Sequence, residues 1–195
     1  MRRIAPDRDQ LLAMVAEVFR EHGYEGASIA LIGAATGLGK GSLYHFFPGG
    51  KEQLGEEVIR TSGLAYIALF DLFIAPAEDL VSGIEAFFAA GIATLEATDY
   101  VEGCPIATVA LEVASTNEPL RQATADVFTA WIDAGTEKFA KFGLGHEAAR
   151  TLTITAVNNL EGAFVLCRSL RDTEAMAVAG AATVDVARRL ESAQL

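Results

Sequence analysis

Apolar side chains recur with helical spacing from the start of the chain. Between Arg8 and His22 the large apolar residues stand at positions 11, 12, 15, 18 and 19, on one side of a helix. Asp7 or Asp9 can cap the beginning of this helix, and Gly23 is expected to end it. The pattern predicts one amphipathic helix over these residues.

Two short helices joined by a glycine-containing turn are predicted next. Ser28 is a good N-cap for a helix that ends at Gly37, which suits the left-handed position just past a helix end. The following helix begins at Gly39 or Lys40 and runs to Phe47, where a proline and two glycines stop it. Two such helices joined by a short turn are typical of a helix-turn-helix.

The rest of the chain also has helical periodicity, and no alternating strand pattern is evident. Helices are predicted over residues 51–73, 79–97, 105–115, 118–142, 147–170 and 173–190. The prediction is therefore an all-α protein. An N-terminal three-helix domain, residues 4–50, is followed by a larger helical domain, residues 51–195, with a continuous helix across the boundary.

The stretch TGLGKGSLYHFFPGGKEQL, residues 36–54, is rich in glycine and raises the question of a phosphate-binding loop. A Walker loop built on Gly39 and Lys40 needs glycine at position 34 and a hydroxyl residue at position 41, where the chain has Ala34 and Gly41. A dinucleotide-binding fingerprint lacks its third glycine, and no strand precedes either loop. The pattern favours a helix-turn-helix instead.

The second helix of a helix-turn-helix enters the major groove with its N-terminal residues against base edges. Small residues there, Gly39, Gly41 and Ser42, let the backbone approach closely. Tyr44 and His45 lie one turn further on and can reach phosphates, although burial in the core is the alternative for both. Lys51 adds charge and N-terminal amides at the start of the next helix.

The segment SIALIGAATGLGKGSLYHFFPGGKEQL resembles the signature of the TetR family of bacterial transcriptional regulators. Its elements are a helix beginning at Ser28, the turn 36–38, the run KGSLYHFF from Lys40 and the run KEQL from Lys51. The resemblance covers about residues 8–60. A second segment, GCPIATVALEVA at 103–114, resembles the C-terminal domain of the branch that contains the repressors LmrA and YxaF.

The resemblance implies DNA contacts residue by residue. Phosphates would be contacted by Ser28, Lys40, Tyr44, His45 and Lys51, and bases would face Gly41 and Ser42. Leu38, Leu43 and Phe47 would hold the two helices together.

This chain departs from the family pattern at three positions. Gly39 stands where the family usually has Ser or Thr, Gly33 interrupts the second helix, and Thr36 replaces a common alanine. Glycine inside a helix costs about 1 kcal/mol relative to alanine, so a looser motif is expected.

Charge is distributed unevenly along the chain. The net charge is -11, of which residues 1–60 contribute -1 (7 basic and 8 acidic) and residues 61–195 contribute -10 (8 basic and 18 acidic). A near-neutral first part can still present a basic face to DNA. Arg2 and Arg3 are either a disordered start or an arm for the minor groove.

Several signals place the protein in the cytoplasm, away from membranes. The first twelve residues turn polar and do not form a secretion signal, and no apolar run approaches the roughly 18 residues that span a bilayer. Cys104 and Cys167 are expected to be small buried side chains of a reduced protein, with a reactive thiol as the alternative. The mean hydropathy of +0.30 indicates apolar surface buried in an oligomer interface or a ligand cavity.

The second domain carries no catalytic motif, so we expect no enzyme activity, no cofactor and no metal. The resemblance implies a helical domain that binds a small effector and forms a homodimer. A possible dimer stripe comprises Leu152, Ala156, Leu160, Ala163, Phe164, Leu170, Met176, Ala179, Val186 and Leu190; packing inside one subunit is the alternative. A pocket would draw on Tyr66, Phe70, Phe73, Phe87, Phe88, Tyr100, Phe128 and Trp131, with Asn158, Asn159, Glu161 and Arg168 as polar groups.

The leading hypothesis is a ligand-responsive transcriptional regulator that binds double-stranded operator DNA, a repressor released by a small apolar or aromatic effector. The alternative is a small-molecule binding protein whose head no longer reads DNA, because the two glycines weaken its helices.

Overall fold

The computed structural model describes residues 6–101 and 103–193, and all regular structure in these residues is helical. The elements are α1 (Arg8–Gly26), α2 (Ile29–Thr36), α3 (Lys40–Phe46), α4 (Gly50–Leu69), α5 (Leu80–Ala97), α6 (Pro105–Val113), α7 (Glu118–Ala140), α8 (His146–Leu170) and α9 (Glu174–Ser192). The all-α prediction is confirmed. Arg2 and Arg3 lie outside the described residues.

The first helix begins and breaks where the sequence indicates. Asp7 accepts a hydrogen bond from the Gln10 N–H at 2.9 Å, and the Gln10 side chain accepts one from the Asp7 N–H at 3.2 Å. This capping box satisfies two amides that the helix itself leaves unpaired. Gly23, with φ of 68°, interrupts the helix, and a last turn carries the buried Tyr24.

The fourth helix changes character near its end. Regular α-helix stops at Leu69, and one π-helical turn, Phe70–Ile74, continues it to the Pro76 region. The predicted uniform helix to Phe73 is therefore wrong in detail, because the wider turn rotates Phe70 and Ile74 into the core.

Helix α5 corrects the expectation that no segment has the length and hydropathy of a membrane span. Its 18 residues have a mean hydropathy of 1.5, which by length and composition alone would suit a membrane. Leu80, Ile84, Phe88 and Leu95 are buried inside the protein on one side of this helix, and Glu85 and Glu96 are exposed. This arrangement is that of a core helix.

The chain forms two compact units. Unit 1 consists of Met1–Gly63, described from residue 6, together with Pro105–Val127. Unit 2 consists of Leu64–Cys104 and Phe128–Leu195, described to residue 193 apart from position 102. The compact unit that contains the helix-turn-helix therefore also includes α6 and the first part of α7. The predicted boundary near residue 50, between a DNA-binding and an effector-binding domain, stays a prediction.

Each unit has its own apolar core. In unit 1, Phe19 and Tyr24 meet edge to face with ring centroids 5.6 Å apart, beside the fully buried Ile32 and Phe47. In unit 2, Phe70 stacks on Phe87 at 5.5 Å. Aromatic pairs of this kind add about 0.5–1.5 kcal/mol beyond the area they bury.

Candidate DNA-binding surface and ligand cavity

The helix-turn-helix is fixed at both ends of α2 by residues close in sequence. The Ser28 hydroxyl accepts a hydrogen bond from the Leu31 N–H at 3.1 Å, which caps the helix. Gly37 ends it in the left-handed conformation, with φ of 73°. Gly39 then precedes α3 without a side-chain cap, as its identity predicts.

Two of the three departures from the family pattern stabilise the turn. The buried Thr36 hydroxyl donates to the Ile32 carbonyl at 2.8 Å and accepts from the Leu38 N–H at 3.4 Å. A Cβ at Gly33 would lie 2.8 Å from the Leu38 carbonyl oxygen, so only glycine allows the turn to pack this closely. The interpretation of Gly33 and Thr36 as loosening changes is therefore wrong.

Helix α3 has one buried side and one exposed side. Leu43 and Phe47 are 2% and 1% exposed and anchor it, while Leu38 is only half-buried. The exposed residues are Lys40, Gly41, Ser42, Tyr44 and His45, together with Ser28 and Gly39 before the helices. A Cβ at Gly39 or Gly41 would touch nothing within 4 Å, so the backbone there is open to a partner. Tyr44 and His45 are therefore not buried in the core, which was the alternative to a role in phosphate contact.

The two lysines near this surface have different surroundings. The Lys40 ammonium lies 5.9 Å from the Tyr44 ring and forms no ion pair with any described acidic residue. The Lys51 ammonium lies 4.3 Å over the Tyr24 ring and donates to the Glu25 carbonyl at 3.4 Å. Lys40 is thus available to a phosphate, whereas Lys51 is already engaged and half-buried.

Arg8 supports α3 from the beginning of α1. It pairs with Glu57 at 2.6 Å, donates to the Phe46 carbonyl at 3.0 Å and lies 4.7 Å over the Phe47 ring. Sequence reasoning missed this role, because these partners lie 38 and 49 positions away along the chain.

A residue of α6 fixes the end of α1 in unit 1. The Glu112 carboxylate accepts from the Glu25 N–H at 2.9 Å and occupies the space where a Cβ of Gly23 would lie. The pKa of Tyr24 is raised, first by burial and then by the charges of Glu25 and Glu52. The end of α1 is therefore fixed by a helix that lies about ninety positions later.

Unit 2 encloses a cavity of about 290 Å³ with a mainly apolar wall. Its aromatic side chains are Tyr66, Phe70, Phe73, Phe87, Trp131 and Phe164. All of these except Phe164 were among the aromatic residues that the sequence predicted for a pocket. The other three predicted residues, Phe88, Tyr100 and Phe128, are not part of the cavity lining. The sequence pattern placed Phe164 in the dimer stripe instead of the cavity. Hydrophobic periodicity shows that a position on α8 is apolar, but it does not show whether that position faces the cavity or another buried surface.

The polar part of the cavity wall is small and includes Thr94, Cys104 and Glu161. Burial raises the pKa of Glu161 to about 7, and a hydrogen bond with Cys104 lowers it only partly. Cys104 and Cys167 are both buried, as predicted.

The other polar candidates are not themselves part of the cavity lining, although Arg168 contacts Gly103 of the lining. Asn159 donates to the Thr183 hydroxyl at 2.9 Å, Asn158 is exposed, and Arg168 lies against Gly103.

The predicted dimer stripe is largely internal. Leu152, Ala156, Ala163 and Met176 are at most 3% exposed within one subunit. Only Leu170, at 70%, is exposed among the residues of the stripe. The exposed apolar side chains of these two helices are Val165, Leu166, Leu170 and Val178.

Comparison with known sequences gives the family. The pattern described as bacterial regulatory proteins of the tetR family matches residues 11–58, and that of the LmrA/YxaF-like transcriptional regulator C-terminal domain matches residues 81–182. The chain belongs to the TetR family. TetR proteins are DNA-binding transcriptional regulators and not enzymes, so the predicted class and the predicted branch are confirmed.

Individual TetR relatives extend over most of the chain. The uncharacterized regulator YxaF of Bacillus subtilis is 30% identical over 165 residues, 85% of this chain and 86% of its own. Rv0196 of Mycobacterium tuberculosis is 32% identical over 170 residues, with the same coverage. The fold matches that of the regulator CifR, crystallised as a cysteine mutant with operator DNA, with a TM-score of 0.75 at 23% identity over 94% of this chain and 98% of CifR.

Proposed function

We propose that the protein is a cytoplasmic, homodimeric repressor whose affinity for its operator changes when a small apolar or aromatic molecule enters the cavity of unit 2. The observation that carries this proposal is the exposed side of α3. Lys40, Ser42, Tyr44 and His45 face solvent there while Leu43 is buried, so polar side chains are presented on a helix that its own core holds in place.

The proposed DNA contacts fall into two groups. Lys40, Tyr44 and His45, with the Ser28 hydroxyl, contact phosphates, and the open backbone at Gly41 brings Ser42 to base edges. Lys51 contributes chiefly through the positive N-terminal end of α4, where it lies, since its ammonium is engaged with Tyr24.

The alternative of a binding protein with a degenerate head loses its main support. It rested on two helix-weakening glycines, and the close approach of the Leu38 carbonyl gives Gly33 a structural role in the turn. Gly39 remains as the one uncapped helix start of the motif.

Operator binding is tested by fluorescence anisotropy with labelled DNA from upstream of the protein's own gene, against scrambled DNA. With roughly 6–10 phosphate contacts, affinity should fall by about 10³–10⁵ between about 50 and 200 mM salt while the preference persists. Tyr44→Ala should weaken binding to all sequences, and Ser42→Ala should change the sequence preference. Failure to select any preferred sequence from a random library would contradict the proposal.

Dimerisation is proposed through the exposed side of α8 and α9 near the turn that joins them. Val165 and Leu166 on α8 and Val178 on α9 are 58%, 53% and 61% exposed. Large exposed apolar side chains on two helices that pack together support an interaction surface there. The combined change Leu166→Glu and Val178→Glu should convert a dimer to a monomer in sedimentation. Leu111→Glu, at an 81% exposed position on α6, is the matched control and should leave the dimer intact.

Effector control follows from differential affinity. A ligand can lower operator affinity only if it binds the non-DNA-binding conformation more tightly. Helix α4 contributes Lys51 at one end and Tyr66 and Leu69 of the cavity wall at the other, which supports a shift of α4 as the coupling step. A ligand that fills the cavity should therefore lower the operator affinity measured by anisotropy. A ligand that binds in the cavity and leaves this affinity unchanged would not be an effector.

A further inference from the structure

In the part of the chain that the structure describes, the wall of the cavity contains a single acidic side chain among its aromatic groups. Glu161 on α8 lines the cavity together with Phe70, Phe73 and Trp131. Among the residues that the structure describes, its hydrogen-bond partner is the Cys104 thiol. Among the described residues, no lysine, arginine or histidine forms an ion pair with Glu161.

We propose that the cavity of unit 2 selects organic cations: molecules with an apolar or aromatic body and an ammonium group, for which the Glu161 carboxylate is the counter-ion. This inference rests on the proposal that the cavity is the effector site, and it adds the chemical class of the effector.

The carboxylate is the first reason. A partly desolvated carboxylate without a cationic partner is costly, and the described residues supply only a weak thiol donor. A bound ammonium group would provide the missing opposite charge. A neutral ligand would bury the carboxylate further without pairing it, and an anionic ligand would be repelled.

The aromatic wall is the second reason. Ring faces carry negative charge density, and a cation within about 6 Å of a ring centroid is attracted to it. Phe70 and Phe87 already stack on each other at 5.5 Å, and Phe87 meets Phe73 edge to face at 6.3 Å, so several rings bound one space. A carboxylate together with such rings is a pairing that recognises ammonium groups.

Cavity volume limits the size of the ligand. At about 290 Å³ the space lies at the lower end of typical small-molecule sites, so it suits a cation with one or two rings.

Direct binding can be measured through Trp131, the single tryptophan of the chain, which lies in the cavity wall. The probes are phenethyltrimethylammonium, whose charge does not titrate, and dimethyl phenethyl carbinol, a neutral alcohol of nearly the same shape. We expect the full-length protein to bind the ammonium compound at least tenfold more tightly. Equal or tighter binding of the alcohol, or no binding of the ammonium compound, would overturn the proposal.

Glu161→Gln identifies the source of the preference. This variant should bind both probes with similar affinity, because it removes the charge and keeps the side-chain shape. Glu96→Gln, an exposed position on α5 outside the cavity lining, makes the same change in net charge and should keep the tenfold preference. A preference that survives in Glu161→Gln would contradict the role of the carboxylate.

The pH dependence provides an independent readout. Since burial raises the pKa of Glu161 to about 7, affinity for the ammonium compound should rise about tenfold from about pH 6 to about pH 8. Tyr66 and Cys104 are the other titratable groups of the wall, and Arg168 lies against Gly103 beside it. Cys104→Ser and Arg168→Gln should retain this dependence, and its loss in either variant would move the assignment away from Glu161.

Operator binding separates this inference from the proposed function. If the ammonium compound binds with a Glu161-dependent preference but leaves operator affinity unchanged, the ligand class stands and the regulatory role of the cavity fails. If only the neutral alcohol changes operator affinity, the regulatory role stands and the ligand class is wrong.

Discussion

The exposed surface of α3 and the cavity of unit 2 are built in opposite ways. The surface comes from one short segment, in which each cap or turn bond joins residues at most four positions apart, as with Ser28 and Leu31 or Thr36 and Ile32. The cavity draws residues from α4, α5, α7, α8 and the segment before α6. A short segment leaves a recognisable pattern in the sequence, and an enclosed space does not.

The two regions also treat charge differently. On the surface, Lys40 is an exposed, solvated cation that an anionic partner can approach. In the cavity, Glu161 is an acid that burial holds partly protonated, so its charge depends on what enters. The difference shows that an exposed charge attracts oppositely charged partners from solution. A buried charge instead discriminates between ligands by their charge.

The largest expected effect is in the cavity, where Glu161→Gln should stabilise the protein above neutral pH. The folded-state pKa of Glu161 is raised from 4.5 to about 7, so the contribution of this group to stability is greatest below about pH 4.5 and is lost as pH rises towards 7. Above pH 7 the cost is on the order of 3 kcal/mol as an upper bound. Glutamine cannot ionise, so urea unfolding at about pH 5 and pH 8 should show an advantage that grows with pH.

Glu96→Gln is the control for this comparison and should show no such growth. An advantage of Glu161→Gln that is equal at both pH values would mean that burial does not shift this acid, and the electrostatic contrast between the two regions would disappear.

An intermediate effect is expected for the two glycines of the helix-turn-helix. Gly33→Ala places a Cβ against the Leu38 carbonyl and should cost about 1–3 kcal/mol through overpacking. Gly41→Ala meets nothing within 4 Å and should instead stabilise the helix by about 0.5–1 kcal/mol. Thermal unfolding measures both, and a gain for Gly33→Ala would show that the turn is not tightly packed.

The smallest effect concerns the two lysines of unit 1. Lys40→Gln should leave stability unchanged and reduce the slope of log affinity against log salt by about 0.9 for each subunit, because one phosphate contact is lost. Lys51→Gln should also lower stability, by about 1 kcal/mol or less, since it removes the contact with the Tyr24 ring. An equal change in the free energy of unfolding for the two variants would contradict the conclusion that Lys51, unlike Lys40, contributes a contact within the folded protein.

Sequence reasoning succeeded wherever partners are close along the chain. The caps at Asp7 and Ser28, the left-handed Gly37 and the two-sided character of α3 all follow from neighbouring residues. It failed for Gly33, whose meaning depends on a carbonyl across the turn, and for Phe164, whose helix has more than one buried face. Helix propensity is a property of the residue type alone, whereas the contacts that a residue makes depend on how the helices pack.

The sequence by itself determined the helices, the helix-turn-helix and the family, because hydrophobic periodicity, capping residues and a specific motif act over short distances. Only the tertiary structure decided that Arg8 holds the end of α3, that Glu112 fixes the end of α1, and that Glu161 lies among aromatic rings with no ion-pair partner in the described residues. These contacts join residues that are far apart along the chain, so no local pattern specifies them, and the folded backbone alone brings them together.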